Sequence, residues 1–317
     1  MAAAYIVDAV RTAGGRRNGR LSQVSPADLG AVVINALLER NNLDPALIED
    51  VIFGCVSQIG PQTFNVARTA VLASNLPIEV PGVTVDRQCG SGQQAIHFAA
   101  QAVMSGNQDM IIAGGVENMS MTPIGSPLLV ASKAGMRTPF DGEAISSRYP
   151  GVEFSQFVGA ERMAEKYAVS RDDLDHFAYQ SHVKGAAAYD DNRFDREIIP
   201  MTVEVEGQKV VHDVDEGLRR NATLEAIQGL EPLQEGGLIT AGSASQICDG
   251  SAATLIVSER ALKQYGLTPL ARIHDMTVVG SDPTMVLEGP IPATQKILQR
   301  TGLTIEDIAI YEVNEAF

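Results

Sequence analysis

Apolar positions recur along the chain in two rhythms. Short runs rich in β-branched residues, Ala4–Val10, Val51–Cys55, Val83–Val85 and Met110–Ala113, read as buried strands. Between them the spacing turns helical. Ser25-Pro26 is a cap followed by proline at the first helical position. Leu29, Val33, Ala36 and Leu37 carry that helix to about Asn41. Asn65–Ser74 reads as a second helix, and Gln93–Met104, apolar or small nearly all round, as a third. Strands and helices alternating at this length predict a parallel sheet with helical cover. After Gly115 the rhythm breaks: residues 116–155 carry Pro, Gly, Ser and Met without a period, a loop long enough to expect function from it. Two helices follow, the second entered through Ser170-Arg-Asp-Asp173 and running toward Asp191. A polar, strand-like segment spans Met201 to Val211. From Ala252 the alternation returns, with strands at Ala253–Ser258, Ala271–Gly280 and Ile308–Glu312 and helices at Glu259–Tyr265 and Pro290–Thr301.

The returning pattern repeats the first. Leu37–Leu43 matches Ile297–Leu303, and Ile48-Glu-Asp-Val51 matches Ile305-Glu-Asp-Ile308. Order and loop chemistry agree in both copies, which predicts a duplicated α/β unit.

One junction concentrates the chemistry. Val83-Thr-Val85 runs into Asp86-Arg-Gln-Cys89-Gly-Ser-Gly92, and the third helix begins there. Cys89 is thus expected at the N-terminus of a helix that opens with small residues. Helix dipole and unpaired backbone N–H groups favour a thiolate at that place. Small neighbours let a substrate carbonyl approach the sulfur. The competing reading, a buried structural cysteine, suits an average Cys better than one at such an elbow. Cys55 reads as core, and Cys248, in a small-residue turn, as structural. Three cysteines far apart offer neither a disulfide framework nor paired metal-ligand spacing, and a reducing cytoplasm is their natural setting. Among the five histidines, His97 falls on the helix past Cys89 and reads as a satisfied buried residue. His176 and His182 fall on different faces of one helix, which does not suit a metal pair, and His212 and His274 have no partner motif. No metal is expected.

Four stretches, in chain order, resemble the motifs of the thiolase family, the acetyl-CoA acyltransferases. They are Asp86-Arg-Gln-Cys89-Gly-Ser-Gly92, Gly114-Gly-Val-Glu-Asn-Met-Ser120, Ala241-Gly-Ser-Ala-Ser245 with Asp249-Gly250, and Asn314-Glu-Ala-Phe317. Gln93-Gln94 is most similar to the thiolases of actinobacterial lipid and steroid breakdown. The resemblance implies an α/β thiolase fold of two similar halves in five αβαβα layers, with the helix after Cys89 as one of two central helices. It implies an N-terminal half over 1–119 carrying the nucleophile, an inserted loop domain over 120–240 gripping CoA, and a partial C-terminal half over 241–317. The implied reaction is acyl transfer between CoA thioesters, either 3-ketoacyl-CoA thiolysis or acetoacetyl-CoA formation, through an acyl group on Cys89. By the same resemblance Asn314 would hold a water that stabilises the thioester oxyanion, the alternative being a helix cap after a strand. Ser245 would meet the pantetheine chain of CoA and Arg219 its nucleotide end; the alternative for Arg219 is a solvated surface charge. Ser155 and Gln156 stand where relatives often carry a His-Met pair, and Val286 where a methionine is frequent. These departures imply a roomier acyl pocket. Asp86 stands where many relatives have Asn. Coenzyme A and acyl-CoA are the implied substrates, with no permanently bound cofactor, and the implied assembly is a homodimer or homotetramer built across an inner edge strand.

Family members continue past the Asn-Glu-Ala-Phe motif through a Gly-His-Pro segment and a second Cys-Gly-Gly segment. Those supply the base for the nucleophile and the cysteine that shuttles the substrate proton. The expectation is therefore a truncated thiolase, inactive as these residues alone. A non-catalytic thiolase-like interaction module is an alternative from another class, and another condensing enzyme of the superfamily a third. Asn314-Glu-Ala-Phe317 argues against the ketoacyl synthases, which carry histidine pairs.

Charge narrows the partners. A net charge of -15 argues against nucleic acid or an anionic membrane as partner. An acidic protein that takes an anionic substrate needs a local basic patch, for which Arg16–Arg17 and Arg219–Arg220 are candidates. No stretch reaches membrane-spanning length, and the N-terminus lacks the layout of a signal peptide.

Overall fold

A computed structural model describes residues 2–317. In chain order the first elements are β1 (Ala4–Thr12), β2 (Gly15–Arg16), α1 (Pro26–Arg40), β3 (Asp50–Gly54), α2 (Val66–Ala73), β4 (Gly82–Val85), α3 (Ser91–Ser105), β5 (Met110–Asn118) and α4 (Ser126–Lys133). Then come α5 (Glu143–Arg148), α6 (Gln156–Lys166), α7 (Arg171–Asp190), β6 (Ile198–Ile199), β7 (Met201–Val205), β8 (Gln208–His212) and α8 (Leu224–Gln228). The last are β9 (Cys248–Ser258), α9 (Glu259–Tyr265), β10 (Ala271–Arg272) and α10 (Pro290–Thr301). Two compact units divide the chain. The first takes residues 2–136, 192–217 and 247–274, and the second takes 137–191, 218–246 and 275–317.

The first unit is built on a sheet of order β10-β1-β9-β5-β3-β4. The strand rhythm predicts a parallel sheet, but the sheet is mixed. β3 runs parallel to β4 and β5, whereas β9 is antiparallel to both its neighbours, β1 and β5. An apolar run carries no sign of strand direction, so the difference is invisible to hydropathy. β9 sits mid-sheet with residues 247–274 in the first unit, although chain position alone groups them with the C-terminal part. β4, expected to be buried, is the edge strand, and Val83 is 42% exposed.

Side chains alternate across this sheet as the pleat requires. Val51, Phe53, Met110, Ile112, Leu255 and Val257 join one core with Leu29, Val33, Ile34 and Leu37 of α1 and Val66, Ala70 and Val71 of α2. The intervening Ile52, Ile111, Ala113 and Ile256 are equally buried but lie outside that cluster, on the side of Ala95, Ala99, Ala100 and Val103 of α3. α3 is not enclosed all round, however; Phe98 is exposed. The helix starts follow the local code: Ser25 accepts the Ala27 N–H ahead of Pro26. β7 and β8 form the polar hairpin, turned by Glu206 and Gly207, both at positive φ, as a tight two-residue turn requires.

The second unit is helical. α7 opens on a capping box between Ser170 and Asp173. Arg171 bonds Asp175 at 2.7 Å and the carbonyls of Gln228 and Leu230, tying α7 to the end of α8. Glu161 of α6 accepts the backbone N–H groups of Leu238 and Ile239. The aperiodic stretch after Gly115 holds two short helices, α4 in the first unit and α5 in the second, with no buried residue in either; the apolar Leu128, Leu129 and Val130 of α4 are consecutive and exposed, so no period marks a buried face. Two expected strands shrink or vanish. Ala271–Gly280 keeps only β10, and Ile308–Glu312 forms no strand among the described residues. No helix among the described residues is long and apolar enough to cross a membrane.

Candidate active site

In the first unit the chain leaves β4 through a turn that is hydrogen-bonded at each step. The Cys55 N–H bonds the Val85 carbonyl at 3.1 Å, holding the strand end. The Asp86 carboxylate accepts the Gln88 N–H at 2.7 Å, which bends the backbone and accounts for an acceptor side chain at this position; the oxygen of an Asn would serve equally. Gln88 adopts φ 48°, in the left-handed region. Ser91 closes the turn. Its hydroxyl donates to the Gln88 carbonyl at 2.6 Å and accepts the Arg87 N–H at 2.8 Å. Cys89 stands exposed between these clamps, directly before α3, and the cap residue Gly90 offers no side chain to the first N–H groups of the helix.

The elbow lies against the sheet because β3 ends in glycine. A Cβ on Gly54 would fall 2.5 Å from the carbonyl carbon of Ser91 and 2.6 Å from the Gly92 nitrogen, so any side chain would lever α3 away. Beneath this contact Glu117 collects three donors, the N–H groups of Val56 (2.8 Å) and Ser57 (3.3 Å) and the side-chain amide of Gln62 (2.6 Å). Gln62 in turn accepts the Asn118 N–H. The sequence assigned no role to Glu117, although it lies inside the Gly114–Ser120 motif. Asp249 of β9 bonds both the N–H (2.8 Å) and the hydroxyl (2.6 Å) of Ser120, so the motifs at 114–120 and 249–250 meet physically.

The other two thiols are disabled. Cys55 is buried, and its thiol is pushed up by burial first and by Glu117 second. Cys248 is exposed as a residue, but its sulfur is crowded close to Gly14. Burial of the thiol, then Asp249 and Asp215, push it up to about 11. His97 is half-buried on α3; burial and then Arg87 lower its pKa, and its Nδ1 has no hydrogen-bond partner among the described residues.

The second unit holds a cavity of about 280 Å³. Leu174, Phe177, Ala178, Ser181 and His182 of α7 form one wall, residues 242–246 another, and Asn314, Glu315 and Phe317 a third. Ser245 anchors the third wall. Its N–H bonds the Ala316 carbonyl at 2.9 Å and its hydroxyl donates to the Glu315 carbonyl at 2.8 Å. Ser181 donates to the Glu315 carboxylate at 2.8 Å. Asn314 is exposed on the wall and belongs to neither strand nor helix. Arg219 is exposed, and its N–H reaches Nδ1 of His182 at 3.4 Å. Its neighbour Arg220 is paired with Asp190 at 2.6 Å and lies over Tyr189. Of the expected residues, Asn314 and Ser245 therefore line one cavity and Arg219 adjoins it through His182, which sequence reasoning had set aside. Ser155 caps α6 and Gln156 opens it, while Val286, a β-branched residue at φ 53°, lies in the loop before α10.

Residues 4–260 match the family model for the thiolase N-terminal domain and residues 267–317 that for the thiolase C-terminal domain. The chain belongs to the thiolase family. Over its whole length it is 50% identical to the steroid 3-ketoacyl-CoA thiolase FadA6 of Mycobacterium tuberculosis, covering 77% of that protein. It is 41% identical to the 3-oxoadipyl-CoA/3-oxo-5,6-dehydrosuberyl-CoA thiolase of Escherichia coli, covering 81% of it. Among solved structures, the Bacillus anthracis acetyl-CoA acetyltransferase superposes with a TM-score of 0.88 at 34% identity, over all of this chain and 81% of that one. The architecture is thus the thiolase fold, and the chemistry is that of thiolases, acyl transfer between CoA thioesters.

Proposed function

We propose that Cys89 is the nucleophile of this thiolase. Its sulfur attacks the 3-keto carbon of a 3-ketoacyl-CoA. The bond between C2 and C3 breaks, acetyl-CoA leaves after protonation at C2, and the acyl group stays on sulfur as a thioester. A second CoA thiol then attacks that carbonyl and expels the cysteine sulfur. The observation that carries the reading is the exposed Cys89 at an uncapped helix start, with the other two thiols held protonated by their surroundings. Asn314 positions the water that hydrogen-bonds the thioester oxyanion, and the Cys89 N–H serves the second oxyanion site. Ser245 meets the pantetheine chain and Arg219 the nucleotide end. The shared cavity of Asn314 and Ser245, bounded by His182 and the Arg219 N–H, supports that grouping.

The acyl group is bulky. Half of all aligned positions are identical to a steroid 3-ketoacyl-CoA thiolase, and Ser155 and Val286 stand where relatives often carry the larger His and Met. The left-handed Val286 adds local strain of the kind held at functional loops. The protein works in the cytoplasm as a homodimer or homotetramer, with the exposed edge of β4 as the strand that pairs between copies.

Thiolysis of acetoacetyl-CoA and of a ring-bearing 3-ketoacyl-CoA, by a chain that includes the family's Gly-His-Pro and Cys-Gly-Gly segments, tests this. Cys89→Ser is expected to lower kcat by about a thousandfold or more and to abolish the acyl adduct seen by intact-mass spectrometry. Iodoacetamide at neutral pH should label Cys89 well before Cys55 or Cys248. Labelling of Cys248 first, or full turnover by the serine variant, would remove Cys89 from this role. A kcat/KM that favours acetoacetyl-CoA over the ring-bearing substrate would overturn the bulky-substrate reading alone.

A further inference from the structure

Of the polar side chains on the α7 cavity, His182 is one that neither the motifs nor the reaction uses. Its ring lines the cavity beside Ser181, and its Nδ1 accepts the backbone N–H of Arg219. An imidazole that accepts through Nδ1 carries its proton on Nε2, so the tautomer is set by a main-chain group that does not titrate. Burial, and then the positive charge of Arg219, lower its pKa, which keeps the ring uncharged at neutral pH. His176, two turns earlier on α7, is held differently. It faces solvent, its Nδ1 sits 2.8 Å from the Asp172 carbonyl, and it does not line the cavity.

We propose that His182 is a substrate-positioning residue that donates its Nε2–H to an acceptor oxygen of the CoA chain. This rests on the reading that CoA occupies this cavity. Two acceptor oxygens on CoA share the required chemistry, an amide carbonyl of the pantetheine arm and a phosphate oxygen. A neutral donor suits either, and it adds to Ser245 and Arg219 a contact whose direction is fixed by Arg219's own backbone. Because it binds the chain rather than the reacting carbon, its loss should fall on KM and spare kcat.

The test measures thiolysis with CoA, pantetheine and N-acetylcysteamine as acceptor thiols, for the parent and for His182→Ala, His182→Gln, Ser245→Ala and Arg219→Ala. Removing one hydrogen bond predicts a rise of about tenfold in KM for CoA in His182→Ala, with kcat within about twofold, and substantial recovery in His182→Gln, whose amide can still donate. If KM for pantetheine rises equally, the acceptor is a pantetheine carbonyl; if only KM for CoA rises, it is a phosphate. An unchanged KM for CoA in His182→Ala, while Ser245→Ala or Arg219→Ala raises it, overturns the role of His182 and leaves the cavity assignment standing. If all three alanine variants leave KM unchanged, the cavity assignment falls with it.

Discussion

The two copies of the internal repeat fold alike at the turn and differently beyond it. In the first copy α1 ends at Arg40, Asn42 takes a left-handed φ of 46°, Asp44 caps a single 3-10 turn over Pro45–Leu47, and the chain enters β3. In the second, α10 ends at Thr301, Gly302 takes φ 74°, Thr304 opens a 3-10 turn over Ile305–Asp307, and Ile308 leaves in extended backbone. The equivalence puts Asn42 opposite Gly302, Asp44 opposite Thr304 and Ile48 opposite Ile308. The sequence match of Ile48–Val51 to Ile305–Ile308 is therefore three residues out of step, although Leu37–Leu43 against Ile297–Leu303 is in register. Past the turn the two copies part. Val51 and Phe53 are fully buried between β4 and β5, whereas Ile310 is 85% exposed and 308–312 pairs with no strand among the described residues. Turn geometry is written in a few adjacent residues; a strand also needs neighbours to receive its hydrogen bonds.

That contrast can be pressed experimentally, starting where the first copy is most constrained. Gly54→Ala should cost about 3 kcal/mol and most of the thiolysis activity, because its methyl meets backbone of the nucleophile elbow rather than a side chain that can swing aside. Thermal unfolding and kcat measured together check it; a stable variant with full activity would show that the elbow does not depend on this contact. Leu37→Ala should cost about 3 kcal/mol and its counterpart Ile297→Ala under about 1, since Leu37 is fully buried and Ile297 only half-buried. Equal losses in urea titrations would mean that the second copy is packed as tightly as the first. At the turns the effects shrink: Gly302→Ala should cost about 1 kcal/mol for placing a Cβ at positive φ, while Asn42→Gly should stay within about 0.5 kcal/mol of the parent.

Legibility followed the same division. Local signals carried the cap and proline that open α1, the bounds of α10, the hairpin segment and the elbow at Cys89, because each depends on residues a few positions apart. The antiparallel course of β9 was hidden, since an apolar run reads the same in either direction. α4 and α5 were hidden because neither buries a face. Glu117 and His182 were missed for a third reason. Each acts through one or two backbone groups brought near by folding, Val56 and Ser57 in one case and Arg219 in the other, and neither role shows before those partners are known, even for Glu117 inside the Gly114–Ser120 motif. Asn314 and Ser245 were found only because they sit in extended family motifs.

β9 has a consequence for synthesis. It lies between β1 and β5, so the ribosome must deliver residue 258 before these two strands have the partner that joins them. Until then the nascent chain presents open strand edges and the apolar side chains that β9 will cover. Pairing over so long a sequence separation predicts slow formation of this sheet, and open edges of this kind are where aggregation would start.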